Sequence, residues 1–163
     1  MPVTKSKITR AVWFLAVAVA IASADQVIKN AVIASLQPGI PQDFIGGLVR
    51  LVLVYNDSAA FSIGFGQTWF FAILSAVAAL ALLWFGPRVR SIGWAVIAGL
   101  ALGGITGNLI DRLTRAPGFG SGLVVDYIQI PFNFPIFNLA DSAICVSAAI
   151  VIIQIARGRK LGG

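Results

Sequence analysis

The sequence predicts an all-α membrane protein with four transmembrane helices and a small extracytoplasmic β-sheet between the first and second. Three observations carry this. Of 163 residues, 58% are apolar and only 11% are charged, whereas soluble domains carry about 25% charged residues. Four apolar runs, about 11–34, 69–85, 92–110 and 137–156, meet or approach the ~20 residues needed to cross a bilayer. Finally, eight of the twelve basic residues cluster at Lys5, Lys7 and Arg10, at Arg88 and Arg90, and at Arg157, Arg159 and Lys160. No acid accompanies them, which is the positive-inside pattern with both termini cytoplasmic. The net charge of +6 therefore sets topology, and no nucleic acid is expected as a partner. The whole of 1–163 reads as one integral domain.

The first span begins with basic residues and an apolar core at 11–24, and Ala22-Ser23-Ala24 imitates a signal-peptidase cleavage site. Asp25 and Lys29 argue for a continuous helix instead. They lie one turn apart with the acid first, the favourable order for a pair, and Val27, Ile28, Val32 and Ile33 extend the apolar pattern beyond. Pro38-Gly39 and Pro41 then end the helix. Residues 48–55 (LVRLVLVY), rich in β-branched side chains and bounded by Gly46-Gly47 and Asn56-Asp57-Ser58, read as a strand, with 59–66 as its expected partner. The outer β segment spans about 38–66, its apolar face toward lipid or a lipid-like ligand.

The second span stops at Gly86-Pro87, with Trp69 and Trp84 at its two ends. The third closes on small residues, Gly103, Gly104 and Gly107, which either let another helix approach closely or leave room for a peptide. Asn108, Asp111 and Arg112 follow at i, i+3 and i+4, and Asp111 with Arg112 reads as an ion pair orienting the helix end. The fourth span repeats the spacing in Asn138 and Asp141. Cys145 is expected to be buried packing. With no histidine and one cysteine, no metal or other cofactor is expected.

Asp25, Asp111, Asp126 and Asp141 converge on one depth near the outer face; Asp25 lies roughly 22 Å beyond Arg10 at 1.5 Å per residue. Carboxylates at membrane depth are costly and point to function. Asp126 and Asp141 have no basic residue within four positions, so no local ion pair accounts for them. Two carboxylates in a site of low dielectric share a proton. One can then act as base and the other as acid, as hydrolysis of a peptide requires. A proton-coupled transporter subunit using the four acids as a relay, or an assembly factor using them as helix glue, fits the same residues.

Five segments in order, at 25–29 (DQVIK), 56–62 (NDSAAFS), 103–112 (GGITGNLIDR), 122–128 (GLVVDYI) and 137–142 (FNLADS), resemble those of the lipoprotein signal peptidases (signal peptidase II). The resemblance implies an aspartyl endopeptidase of the bacterial inner membrane, with four spanning helices and a small sheet on the outer face. It implies cleavage of prolipoprotein substrates just before a diacylglyceryl-modified cysteine, in contact with membrane lipids and as a monomer. It assigns catalysis to Asp126 and Asp141, and substrate binding or support to Asn56, Asn108, Asp111, Arg112, Asn138, Asp25 and Lys29. Ser58 stands where the family pattern has glycine, so a turn needing positive φ would be strained there. Asp57 beside it reads as a solvated loop residue.

Overall fold

A computed structural model describes residues 5–57 and 68–163. In chain order it contains α1 (Lys5–Ser35), β1 (Gln42–Ile45), β2 (Val49–Asn56), α2 (Thr68–Phe85), a 3-10 turn (Gly86–Arg88), α3 (Ile92–Thr114), β3 (Val124–Gln129) and α4 (Leu139–Ala156). All four α-helices are long and apolar enough to cross a membrane. In α3 50% of the most apolar stretch is buried inside the protein, against 17% in each of the other three. α3 is thus the central helix, touching α1, α2 and α4. Outward-facing side chains of the others, among them Val19, Val27, Leu80 and Ile152, form the surface that meets lipid. Cys145 is also exposed on α4, not packed inside as expected. In a spanning helix the lipid-facing side is as apolar as the core, so composition alone does not distinguish the two.

Glycine brings α1 and α3 together. Gly99, Gly103 and Gly107 recur every four residues and so share one face of α3. A Cβ on Gly99 would stand 2.7 Å from the Phe14 carbonyl oxygen, and one on Gly103 2.8 Å from that of Ala18. At Gly107 it would stand 2.6 Å from an Asp25 carboxylate oxygen. Gly104, on another face, lies directly against Ala140 at the start of α4. These glycines are filled by neighbouring helices; they do not leave an opening for a peptide.

The sheet is antiparallel in the order β1-β2-β3. Its third strand comes from the connection between α3 and α4, so the sheet is not built from the α1–α2 connection alone. The expected partner strand, 59–66, lies outside the described residues, as does Ser58. β2 pairs with β3 through Val54 opposite Asp126 and Asn56 opposite Val124. Val32 of α1 and Leu36 just beyond it pack with Leu53, Val125 and Tyr127 beneath the sheet. A second core, Phe14, Ala18, Ala79, Ala95 and Leu102, lies within the bundle. Replacing Gly103 by Leu should force α1 from α3 and cost roughly 1–3 kcal/mol through overpacking. Thermal melting in detergent would register it, whereas Leu80→Ala on the lipid-facing surface should leave the melt nearly unchanged.

Candidate active site

The site is assembled where the C-terminal halves of α1 and α3 meet β3 and the start of α4. Its base is the Lys29 ammonium, fully buried. It stands 2.8 Å from an Asp25 oxygen, 2.8 Å from an Asp111 oxygen and 2.9 Å from Asn108 Oδ1. An ammonium has three N–H donors, and here each has an acceptor. Asp25 Oδ1 accepts from the Ala140 backbone N–H at 3.1 Å, tying α1 to the first turn of α4. Asp111 Oδ2 accepts from the Val125 N–H at 3.1 Å, fixing β3 one residue before Asp126.

Above this base lies a layer of amides. Asn108 Oδ1 accepts from Lys29 and from Asn138 Nδ2 (3.1 Å), which fixes the amide orientation so that Nδ2 donates to Asp141 Oδ1 at 2.7 Å. Asn138 Nδ2 also donates to Asp126 Oδ1 at 2.7 Å, and Asn56 Nδ2, on β2, donates to Asp126 Oδ2 at 2.7 Å. Asn138 is the N-cap of α4 in a reciprocal capping box. Its side chain accepts from the Asp141 N–H at 2.9 Å, and its own N–H donates to Asp141 Oδ2 at 3.2 Å. The spacing Asn138-x-x-Asp141 therefore has a local cause, since a side-chain acceptor at the N-cap and one at N3 satisfy two otherwise orphaned backbone donors. One residue touches both carboxylates.

Their surroundings differ. Asp126 is 2% exposed; Asp141 is only half-buried. Burial first, and then the neighbouring Asp141 charge, push the Asp126 carboxyl from the ordinary 3.8 up to about 7, against the opposing pull of the Asn56 and Asn138 hydrogen bonds. Burial likewise raises the Tyr127 hydroxyl to about 12, so it stays neutral while its oxygen accepts from the Leu139 N–H at 3.2 Å. Backbone bonds between Ile128 and Phe137 clip β3 to the approach to α4, which keeps Asp126 beside Asn138.

All nine residues singled out in the sequence lie in this region. Asn56, Asn108 and Asn138 bond the Asp126 and Asp141 carboxylates directly, while Asp25, Lys29 and Asp111 form the layer beneath. Arg112 differs from expectation, because Asp111 pairs with Lys29 and with Arg115 Nε at 2.6 Å. Adjacent helical residues point about 100° apart and do not face each other; residues four apart do. Arg112 instead lies 5.9 Å from the Phe71 ring centroid and has Nη1 3.4 Å from the Asn108 carbonyl oxygen. It remains within electrostatic reach of Asp126 and Asp141. Two contributors were not singled out. Arg115 was signalled by its i+4 spacing from Asp111. Gln26, which donates to Asp111 Oδ1 and the Gly107 carbonyl, each at 3.0 Å, lay inside a quoted motif.

Fold and site together define a multi-pass helical membrane protein with a hydrogen-bonded acid–amide cluster near one end of its bundle. Comparison with known proteins gives the family. Residues 17–157 match the sequence profile of signal peptidase (SPase) II. A lipoprotein signal peptidase of Leifsonia xyli is 42% identical over 160 residues, covering 98% of this chain and 74% of that protein. One from Rhodococcus jostii is 38% identical, covering 93% and 75%, and one from Mycobacterium tuberculosis is 39% identical, covering 85% and 68%. A bacterial membrane enzyme solved by the in meso method at 2.3 Å superposes with a TM-score of 0.79 and 28% identity, covering 88% of this chain and 87% of that one. The chain belongs to the signal peptidase II family, and is thus a membrane protease.

The buried Lys29 cluster makes a stability prediction. Lys29→Met would leave Asp25 and Asp111 buried without their shared cation, at a cost of about 3–5 kcal/mol. Arg115→Gln removes a partner that is 18% exposed and should cost less, because Lys29 still neutralises Asp111. Paired thermal melts in detergent would show a large loss for the first and a small one for the second.

Proposed function

We propose that this chain removes the signal peptide from diacylglyceryl-modified prolipoproteins, cutting before the lipid-bearing cysteine, as an aspartyl endopeptidase with Asp126 and Asp141 as its catalytic pair. The names of its relatives support the substrate class. The observation that carries the chemistry is the bridging of both carboxylates by Asn138, with Asp126 held near neutrality. Asp141 sits in the first turn of α4, where the helix dipole favours a negative charge. Asp126 is the more deeply buried and favours its neutral form. At rest the shared proton therefore resides on Asp126.

Hydrolysis then needs no covalent intermediate. Asp141 takes a proton from water as the water oxygen bonds the scissile carbonyl carbon, and Asp126 gives its proton to the carbonyl oxygen. As the gem-diol collapses and the C–N bond breaks, Asp141 returns its proton to the amine leaving on the cysteine side. Asp126 recovers one from a diol hydroxyl, which restores the starting state. Asn56, Asn108 and Asn138 hold the carboxylates in place, and Arg112 offers positive charge to the oxygen that gains electrons. The substrate helix enters laterally from the bilayer, and the sheet with the Asn56 end of β2 holds the lipidated cysteine. Basic residues at both termini and at Arg88 and Arg90 support an orientation with the termini cytoplasmic and the site near the outer face of the bacterial inner membrane. The pair needs no residue from a second copy to bring Asp126 and Asp141 together through Asn138, which fits action as a monomer.

General acid or base catalysis contributes about 10²–10⁴-fold. Asp126→Asn and Asp141→Asn should each lower cleavage of a diacylglyceryl prolipoprotein by at least about 10²-fold, followed by gel shift, with the thermal melt largely kept. Wild-type rates in either variant refute the pair. The pH profile is a separate check. Asp126 is neutral below about 7 and ionised above it, so kcat/KM should hold up to about pH 7 and then fall roughly tenfold per unit.

A further inference from the structure

The bundle carries a concavity at the end opposite the acid–amide cluster, where α1 begins and α4 finishes. Asp141 and Arg157, at the two ends of α4, are separated by sixteen residues, or roughly 24 Å at 1.5 Å each. The cavity has a volume of about 960 Å³, with walls from the ends of α2, α3 and α4 and from the segment after α4. A hydrogen bond from the Arg90 N–H to the Gly162 carbonyl (2.7 Å) holds that segment against the α2–α3 connection. The inner wall is apolar, with Trp94, Ile97, Ala101 and Val151, and the rim carries Arg88, Arg90 and Lys160. None of the six aspartates lines it.

Depth and charge together select an occupant. From Trp94 to Ala101 the wall extends about 10 Å along α3, most of one leaflet of a hydrocarbon core ~30 Å thick. Three cations at the rim then sit at headgroup level. Arg88 is anchored with its guanidinium 4.3 Å over the Trp84 ring, a cation–π contact that holds its charge at this end of the bundle. We infer that this cavity binds an anionic phospholipid of the surrounding leaflet, its acyl chains against the apolar wall and its phosphate among Arg88, Arg90 and Lys160. A signal peptide is the other elongated apolar ligand within reach, but its leading segment is basic and would be repelled by this rim. A soluble anion would leave the apolar wall unused. The inference goes beyond the proteolytic reading and does not rest on it.

The test is native mass spectrometry of the purified full chain in zwitterionic detergent, titrated with phosphatidylglycerol, with phosphatidylcholine of the same acyl chains, and with glycerol phosphate. Phosphatidylglycerol should be retained most tightly. The triple variant R88Q/R90Q/K160Q should weaken it about 100-fold, at roughly fivefold per basic residue near an anionic headgroup. Ala101→Phe, which fills the apolar wall and keeps the charges, should weaken it as well. The pair K7Q/R10Q, on α1 outside the cavity, should retain it fully. Thermal melts of each variant separate lost binding from lost fold. Equal retention of both phospholipids, undiminished retention by a folded triple variant, equally tight binding of glycerol phosphate, or displacement by a basic signal-peptide helix would each overturn the assignment.

Discussion

The arrangement depends on one buried ammonium. Lys29 holds two carboxylates from different helices and one amide, in a place where an unpaired charge of either sign would be expensive. Its third bond does more than neutralise. By occupying Asn108 Oδ1 it turns the Asn108 Nδ2 toward Asp141, and the Asn138 amide then bridges from Asn108 to Asp126. The orientations of the Asn108 and Asn138 amides can both be followed back to that ammonium. The hydrogen bonds to Asp126 and Asp141 are thereby set by the fold itself, which is the preorganisation that the proposed aspartyl chemistry would draw on.

Such a cluster can exist only if the helices approach closely and the sheet reaches down to meet them. The glycines on α3 meet the first requirement, since the last of them, Gly107, faces the Asp25 carboxylate itself. Asp111 and Tyr127 meet the second: Asp111 accepts from Val125, and Tyr127 accepts from Leu139. The same aspartate thus neutralises Lys29 and anchors the strand that carries Asp126. The atoms that pack these elements together are therefore the same ones that hold the proposed catalytic pair.

The spans were legible because crossing a bilayer demands long apolar runs that little else produces. The convergence of acids was legible because a carboxylate at that depth is rare. β3 was harder. Its six residues, VVDYIQ, are short and continuously buried up to Tyr127, without the alternation that marks a half-exposed strand, and its pairing with β2 joins segments some seventy positions apart. The strand at Val49–Asn56 was found because β-branched residues fill it, but nothing local identifies its partners. Asp111 and Arg112 show the converse, since nearness in sequence is not nearness in space: Asp111 pairs with Lys29 and Arg115. Helical geometry places Arg115, not Arg112, beside Asp111, so that part was readable.

Helix ends ordinarily fray at little free-energy cost, and the first turn of α4 is the one that carries Asp141. Here that turn is fastened from three directions: by its own capping box, by Asp25 on the Ala140 N–H, and by Tyr127 on the Leu139 N–H. Opening it would break the bonds around both carboxylates together. The start of α4 and the site therefore behave as one cooperative unit in native-state fluctuations. Amide protons at Leu139, Ala140 and Asp141 should exchange as slowly as those in the middle of the helix, although they lie at its end.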